Sequence, residues 1–357
     1  MIYFSIHDIV GVSVNDNYKW ADTLICNIPL FNTDDKGFIN CPSKIHINYS
    51  KKIDIVDYYE VVPFIFINKR KKSLYDKKYG AQITKTDDGY IIDCSQECNE
   101  WLMMILEYCL LENNATFIHS AAVEKDGIAY VFPSWGGVGK TASIAKLVKK
   151  EGYNLLGDDL VIITSDGMVK AFPKKFVLYS YHKKLFEETM KKNNAHLIGG
   201  VMSRMLSKFI PLIKSMLRLI PGLLAFARRH NPQSKRISPY EIFGENAISF
   251  GGKVRSFTWL ERMHIDKTKV VSSDNYQMCS KALTITIHEL FDGRIQEFMI
   301  GVCSEIFEYN FLFDNSIKFL CTSLNQAIFE QLLIPVNYDI EDVSNDVVKY
   351  TIEKGCK

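Results

Sequence analysis

Several things are missing from this 357-residue sequence, and each absence removes a class of protein. The formal charge is only +2, so the molecule as a whole lacks the cationic surplus of a nucleic-acid coat, and no nucleic-acid partner is expected. The first residues, Met1-Ile2-Tyr3-Phe4-Ser5-Ile6-His7-Asp8, show neither the basic n-region nor the apolar h-region of a signal peptide. An even cysteine count is missing too. There are 9, an odd number, and most sit inside apolar runs where a thiol behaves as a small core residue. Cys94 and Cys98 form a C-x3-C pair without a second Cys or His pair at zinc-ligand spacing, which argues against a metal site. These features predict a reducing, cytoplasmic setting.

What is present is the composition of a globular chain: 47% hydrophobic, 12% aromatic and 24% charged residues. The length suits about two domains. Residues 1–95 carry short Ile-, Val-, Tyr- and Phe-rich runs between Asn, Asp, Lys and Gly, which predicts a β-rich N-terminal module. Its Lys69-Arg70-Lys71-Lys72 run reads as a solvated loop. Residues 96–357 form the second expected domain. It opens with a helix over 98–111, ended by Asn113-Asn114, and residues 274–335 again look helical.

From Phe117 to Phe132 the pattern is a β-hairpin, with Glu124-Lys125-Asp126-Gly127 as its expected turn. That turn would set His119 opposite Phe132. The second strand runs into Ser134-Trp135-Gly136-Gly137-Val138-Gly139-Lys140-Thr141, then a helix ending at Gly152, then a strand unit over 153–163 containing Asp158-Asp159. Strand, glycine loop, helix, strand is the order a phosphate-binding loop requires. Glycines let successive N–H groups curl around a phosphate, the helix start adds partial positive charge, Lys140 a full one, and the Thr141 hydroxyl can reach Mg²⁺. Neighbouring acids on an extended strand face opposite ways, so Asp158 and Asp159 share one site only if the backbone bends there. Two acids with different partners suit a division between general base and metal ligand.

Residues 190–240 hold ten Lys or Arg and no Asp or Glu. Arg204, Lys208, Lys214 and Arg218 fall within an arc of roughly 120° on a helical wheel, with apolar residues on most of the rest. The expectation is a basic amphipathic helical insertion at about 181–236, interrupted at Pro211 and Pro221. Its charges recur too often for a spanning helix. Three uses are open to it: core packing with a solvated basic edge, contact with an acidic partner at 190–236, or association with an anionic membrane surface.

Phe117-Ile118-His119-Ser120-Ala121-Ala122-Val123, the loop ending Gly139-Lys140-Thr141, and Leu156-Gly157-Asp158-Asp159-Leu160 together resemble the HPr kinase/phosphorylase family. A weaker echo of the broader HPr-kinase-like group runs from Ile237-Ser238-Pro239-Tyr240-Glu241-Ile242-Phe243-Gly244 to Trp259-Leu260-Glu261-Arg262. The resemblance implies an α/β fold with the mixed-sheet P-loop core shared with phosphoenolpyruvate carboxykinase. It also implies ATP and Mg²⁺ as cofactors and phosphoryl transfer to a hydroxyl. By matching position, Lys140 holds the β-phosphate within the loop 134–141, Thr141 and Asp159 serve Mg²⁺, Asp158 takes the hydroxyl proton, and His119 lines the site. Two departures stand out: Ser134 replaces the first loop glycine, and the downstream Glu-Ile-Arg-Gly motif is absent, which argues against HPr itself as acceptor.

The resulting expectation is an ATP-dependent kinase acting on a serine of a peptide or protein, or on a small molecule, in the manner of group members in peptide-modification pathways. Two alternatives stay open: a nucleotide-binding regulator without transfer, and an interaction protein working through its basic segment.

Overall fold

The computed structural model describes residues 1–15, 18, 29–179, 234–291, 294–308 and 314–355. The expected basic helix at about 181–236 lies outside the described residues except for 234–236. The described chain is α/β, with two large mixed sheets.

The first sheet has nine strands, all from the N-terminal stretch: β1 (Ile2–Ile6), β2 (Val10–Val14), β3 (Asn32–Thr33), β4 (Ser43–Tyr49), β5 (Tyr59–Val62), β6 (Ile65–Asn68), β7 (Ser73–Asp76), β8 (Ala81–Thr86) and β9 (Gly89–Cys94). Their order is β3-β1-β2-β4-β9-β8-β7-β6-β5, with β2–β4 and β4–β9 parallel and the other pairs antiparallel. A short helix, α1 (Asp35–Asn40), is N-capped by Asp34, whose carboxylate accepts from the Gly37 N–H. The run 69–72 forms the turn between β6 and β7, as its charge requires.

Helix α2 (Asn99–Glu112) packs on this sheet and is buried nearly all round, as its run of Trp, Leu, Met and Ile demands. Trp101 Nε1 donates to Asp76 Oδ2 at 3.1 Å, tying the helix to β7. The fully buried Glu107 accepts from Thr116 Oγ1 at 2.7 Å and from the Phe117 N–H at 2.8 Å. Burial pushes its pKa up to about 8, against those two hydrogen bonds.

The second sheet begins with β10 (Ala115–Ile118), β11 (Ser120–Lys125) and β12 (Ile128–Pro133), followed by helix α3 (Lys140–Glu151), β13 (Asn154–Gly157), β14 (Val161–Thr164) and β15 (Met168–Lys170). A separate compact unit, 175–245, contains the antiparallel pair β16 (Phe176–Tyr179) and β17 (Ser234–Ile237). In that unit Ser238 caps α4 (Pro239–Phe243), with Pro239 in the first turn of the helix. The remainder returns to the larger unit as β18 (Gly251–Met263), β19 (Lys269–Ser272), α5 (Asn275–Phe291), α6 (Ile295–Cys303), α7 (Asp314–Ser323), β20 (Ile328–Pro335) and α8 (Ile340–Gly355). Residues 328–335, expected to be helical, therefore form a strand. That strand lies parallel to β18 along its length and antiparallel to β19, so sheet pairing overrides the local pattern.

The main path of this sheet is β10-β14-β15-β18-β12-β11-β13. Alternation along the strands sends Ala122, Val131, Phe257 and Trp259 into one cluster with α5 and α7. On β18 the intervening Thr258 instead shares a 2.8 Å hydrogen bond with Tyr350 of α8. Helices thus cover both faces, as buried mixed sheets require.

Strands β10 and β11 lie far apart in this order, yet His119 alone separates them in the chain. With one residue between them, Ile118 and Ser120 stand at most about 7 Å apart, so the sheet curls until its flanks meet. The link from β13 to β14, residues 158–160, crosses between the same flanks. Both crossings carry residues of the candidate site.

Candidate phosphate-binding site

The loop 134–139 leaves the carboxyl end of β12 and enters α3 directly. Gly137 and Gly139 take φ values of 82° and 120°, conformations in which a side chain is strained. Gly139 is also crowded: a Cβ there would stand 2.8 Å from Val343 Cγ1 of α8. Gly136 and Gly137 face open space instead, with nothing within 4 Å of an added Cβ. The loop is therefore pinned on one side and open on the other, where a ligand's phosphates can approach backbone N–H groups.

Lys140 is buried and uses its ammonium on the loop itself. Its Nζ donates to Ser134 O at 2.7 Å, Ser134 Oγ at 3.0 Å and Trp135 O at 3.1 Å. Burial lowers its pKa, opposed by Asp158, Asp159 and Glu289. Ser134, at the place of the missing first glycine, is fully buried and supplies two of these acceptors. Trp135 is half exposed, with its ring edge-on to His288 at 5.9 Å. Val138 is buried.

The acidic pair sits in the bend between β13 and β14, which resolves the opposite-face problem of an extended strand. Thr141 Oγ1 donates to Asp158 Oδ2 at 2.9 Å, while Asp158 Oδ1 is buried without a hydrogen-bond partner. Asp159 points elsewhere: its Oδ1 is 3.4 Å from His119 Nδ1 and its Oδ2 is 2.9 Å from Lys174 Nζ.

Environment drives the two carboxyls apart. Asp158 is pushed up to about 7, first by desolvation and then by the charge of Asp159, despite Thr141 and Lys140. Asp159 is desolvated too, but Lys174, His119 and Lys140 outweigh that and hold it well below the usual carboxylate range. His119 falls to about 4, chiefly through desolvation and despite the attraction of Asp159, so its imidazole is neutral at pH 7.

His119 is fixed through its backbone, whose N–H donates to Thr286 Oγ1 of α5 at 2.7 Å; that hydroxyl in turn donates to Ala282 O at 2.8 Å. The hairpin register differs from the expected one. Its turn has two central residues, Asp126 and Gly127 at φ 54° and 79°, and pairs Val123 with Tyr130 and Ala121 with Phe132. Ser120 faces Pro133, which puts His119 beyond the ladder beside the loop.

The sequence singled out His119, the loop 134–141 and both aspartates, and all of them converge on one end of the second sheet. It missed Lys174, Thr286 and the α5 pair His288-Glu289. A single lysine after a strand reads as surface, and no spacing links 174 to 159. Arg262, in the weaker echo, donates to Pro335 O at 2.8 Å and Tyr338 O at 2.9 Å, which braces the entry to α8.

No family model matches the chain, and no curated protein matches it. Among the described residues, no three His, Cys, Asp or Glu side chains converge as a metal-binding group, and no helix is long and apolar enough to cross a membrane. Mg²⁺ at a nucleotide site needs only one or two carboxylates, because substrate phosphates and water complete its shell. The half-exposed Asp159 carboxylate, with the Thr141 hydroxyl, meets that modest requirement.

Proposed function

We propose that this protein is an ATP-dependent kinase of HPr-kinase-like fold, moving the γ-phosphoryl group to a hydroxyl on a peptide or protein serine or on a small molecule. The observation that carries this reading is the Thr141–Asp158 hydrogen bond beside a glycine loop, with Asp158 Oδ1 left over. If the Thr141 oxygen turns a lone pair toward Mg²⁺, its hydrogen must go to an acceptor, and Asp158 Oδ2 takes it. Asp158 Oδ1 is then the oxygen available to an acceptor hydroxyl, on a carboxyl whose pKa near 7 suits a general base.

Asp159, kept ionised, is the metal ligand of the pair, and a bound Mg²⁺ would neutralise charge on the phosphates. Lys140 exchanges loop carbonyls for the β-phosphate, and the open side of Gly136 and Gly137 receives the nucleotide. Neutral His119 orients Asp159 and lines the site.

Incubation with γ-labelled ATP and extract of the source cells tests the proposal. Label transferred to an acceptor by the parent but not by Asp158→Asn supports it. Nucleotide binding without any transfer would favour a nucleotide-binding regulator instead.

A further inference from the structure

Lys174 lies outside every motif in the sequence, yet it makes the shortest ion pair in the site, 2.9 Å from Asp159 Oδ2. Its backbone is well anchored. Phe172 is fully buried against the rings of Phe117 and Phe31, and its N–H donates to Leu156 O at 2.9 Å, two residues before Asp158. The Lys174 N–H then donates back to Phe172 O at 2.9 Å. A rigid segment therefore delivers a flexible, one-third-exposed ammonium to the carboxylate. Lys140 instead directs its ammonium to three loop oxygens.

Resting on the kinase reading of this site, we propose that Lys174 is a displaceable counter-ion of Asp159, which couples divalent-metal binding to nucleotide binding. Without nucleotide, a divalent cation reaching Asp159 must push the ammonium away from the carboxylate it pairs with, so metal alone binds weakly. With nucleotide present, the released ammonium on its flexible stem would have phosphate oxygens to pair with in place of the carboxylate. Each ligand then favours the other by more than their direct attraction supplies.

The test titrates Mn²⁺, as a spectroscopic substitute for Mg²⁺, into the full-length parent, Lys174→Met and Lys174→Arg. Each titration is run with and without a non-hydrolysable ATP analogue. Loss of a charge this close to the carboxylate should tighten Mn²⁺ binding to nucleotide-free Lys174→Met by about tenfold. The further tightening caused by the analogue should shrink by a similar factor in Lys174→Met and stay near the parent value in Lys174→Arg. Equal Mn²⁺ affinities for nucleotide-free parent and Lys174→Met would overturn the proposal. So would undetectable Mn²⁺ binding to both while the analogue still binds. The nucleotide-free titrations do not depend on phosphoryl transfer. A tenfold difference there, combined with no transfer from labelled ATP, would keep Lys174 as a counter-ion and remove the kinase reading alone.

Discussion

The Thr141 hydroxyl donates to Asp158 and not to its neighbour Asp159, which is held by His119 and Lys174. Adjacent acids with wholly different partners should fail differently. Asp158→Asn keeps a hydrogen-bond acceptor for Thr141 but cannot take a proton, so ATP affinity should change little while transfer falls by about a hundredfold or more. Asp159→Asn should instead raise the Mg²⁺ concentration needed for half-maximal rate. Equal metal dependence in both variants would refute the division of roles.

Lys140→Met should weaken ATP binding by roughly ten- to a hundredfold, the value of one or two charge-assisted hydrogen bonds. Calorimetric titration with ATP is the readout. Parent-like affinity would mean that the three loop contacts of Lys140 are its whole purpose.

The pH dependence of transfer should follow Asp158. Its carboxyl is protonated below about 7, so the rate should rise with pH through that value and level off above it. His119, already neutral above about 4, should add no step between pH 5 and 8. An inflection that survives Asp158→Asn in residual activity would assign it to another group.

Glu107 predicts a pH effect on stability. Its native pKa of about 8 exceeds the ordinary glutamate value, so between the two the folded state holds more protons than the unfolded one. The contribution is complete at acid pH and is lost as pH rises through about 8. Glu107→Gln keeps one carbonyl oxygen to accept from the Phe117 N–H or from Thr116 Oγ1, but does not titrate. Its melting temperature should decline less than the parent's between pH 5 and 8.5, with the two proteins compared by thermal scans in matched buffers.

Gly139→Ala combines a φ of 120° with a 2.8 Å clash on Val343. The backbone strain alone costs about 1–3 kcal/mol, so both the melting temperature and ATP affinity should fall. Val343→Ala in the same chain relieves only the clash and should restore part of the loss.

Local chemistry made much of this site legible in the sequence. Gly136 to Thr141 reads as a glycine loop between a strand and a helix, which is where the structure has it, and the β-rich pattern of 1–95 becomes the first sheet. Long-range pairing decides the rest. Residues 328–335 look helical in isolation but are a strand because β18 and β19 flank them. The His119 register turned on whether the hairpin turn held two central residues or four, and positive φ at Asp126 and Gly127 settles it at two. Lys174 was invisible because its meeting with Asp159 follows from the long-range backbone bond of Phe172 to Leu156, which no sequence spacing announces.

The contact of Val343 with Gly139 also bears on the order of events during synthesis. Helix α8 emerges from the ribosome about 200 residues after the loop it braces; its Ser344 is 198 positions beyond its α3 partner Lys146. Until α8 docks, one wall of the glycine loop is missing. On the kinase reading, a nascent chain halted before residue 340 should therefore already contain every residue proposed to contact phosphate and still hold nucleotide poorly.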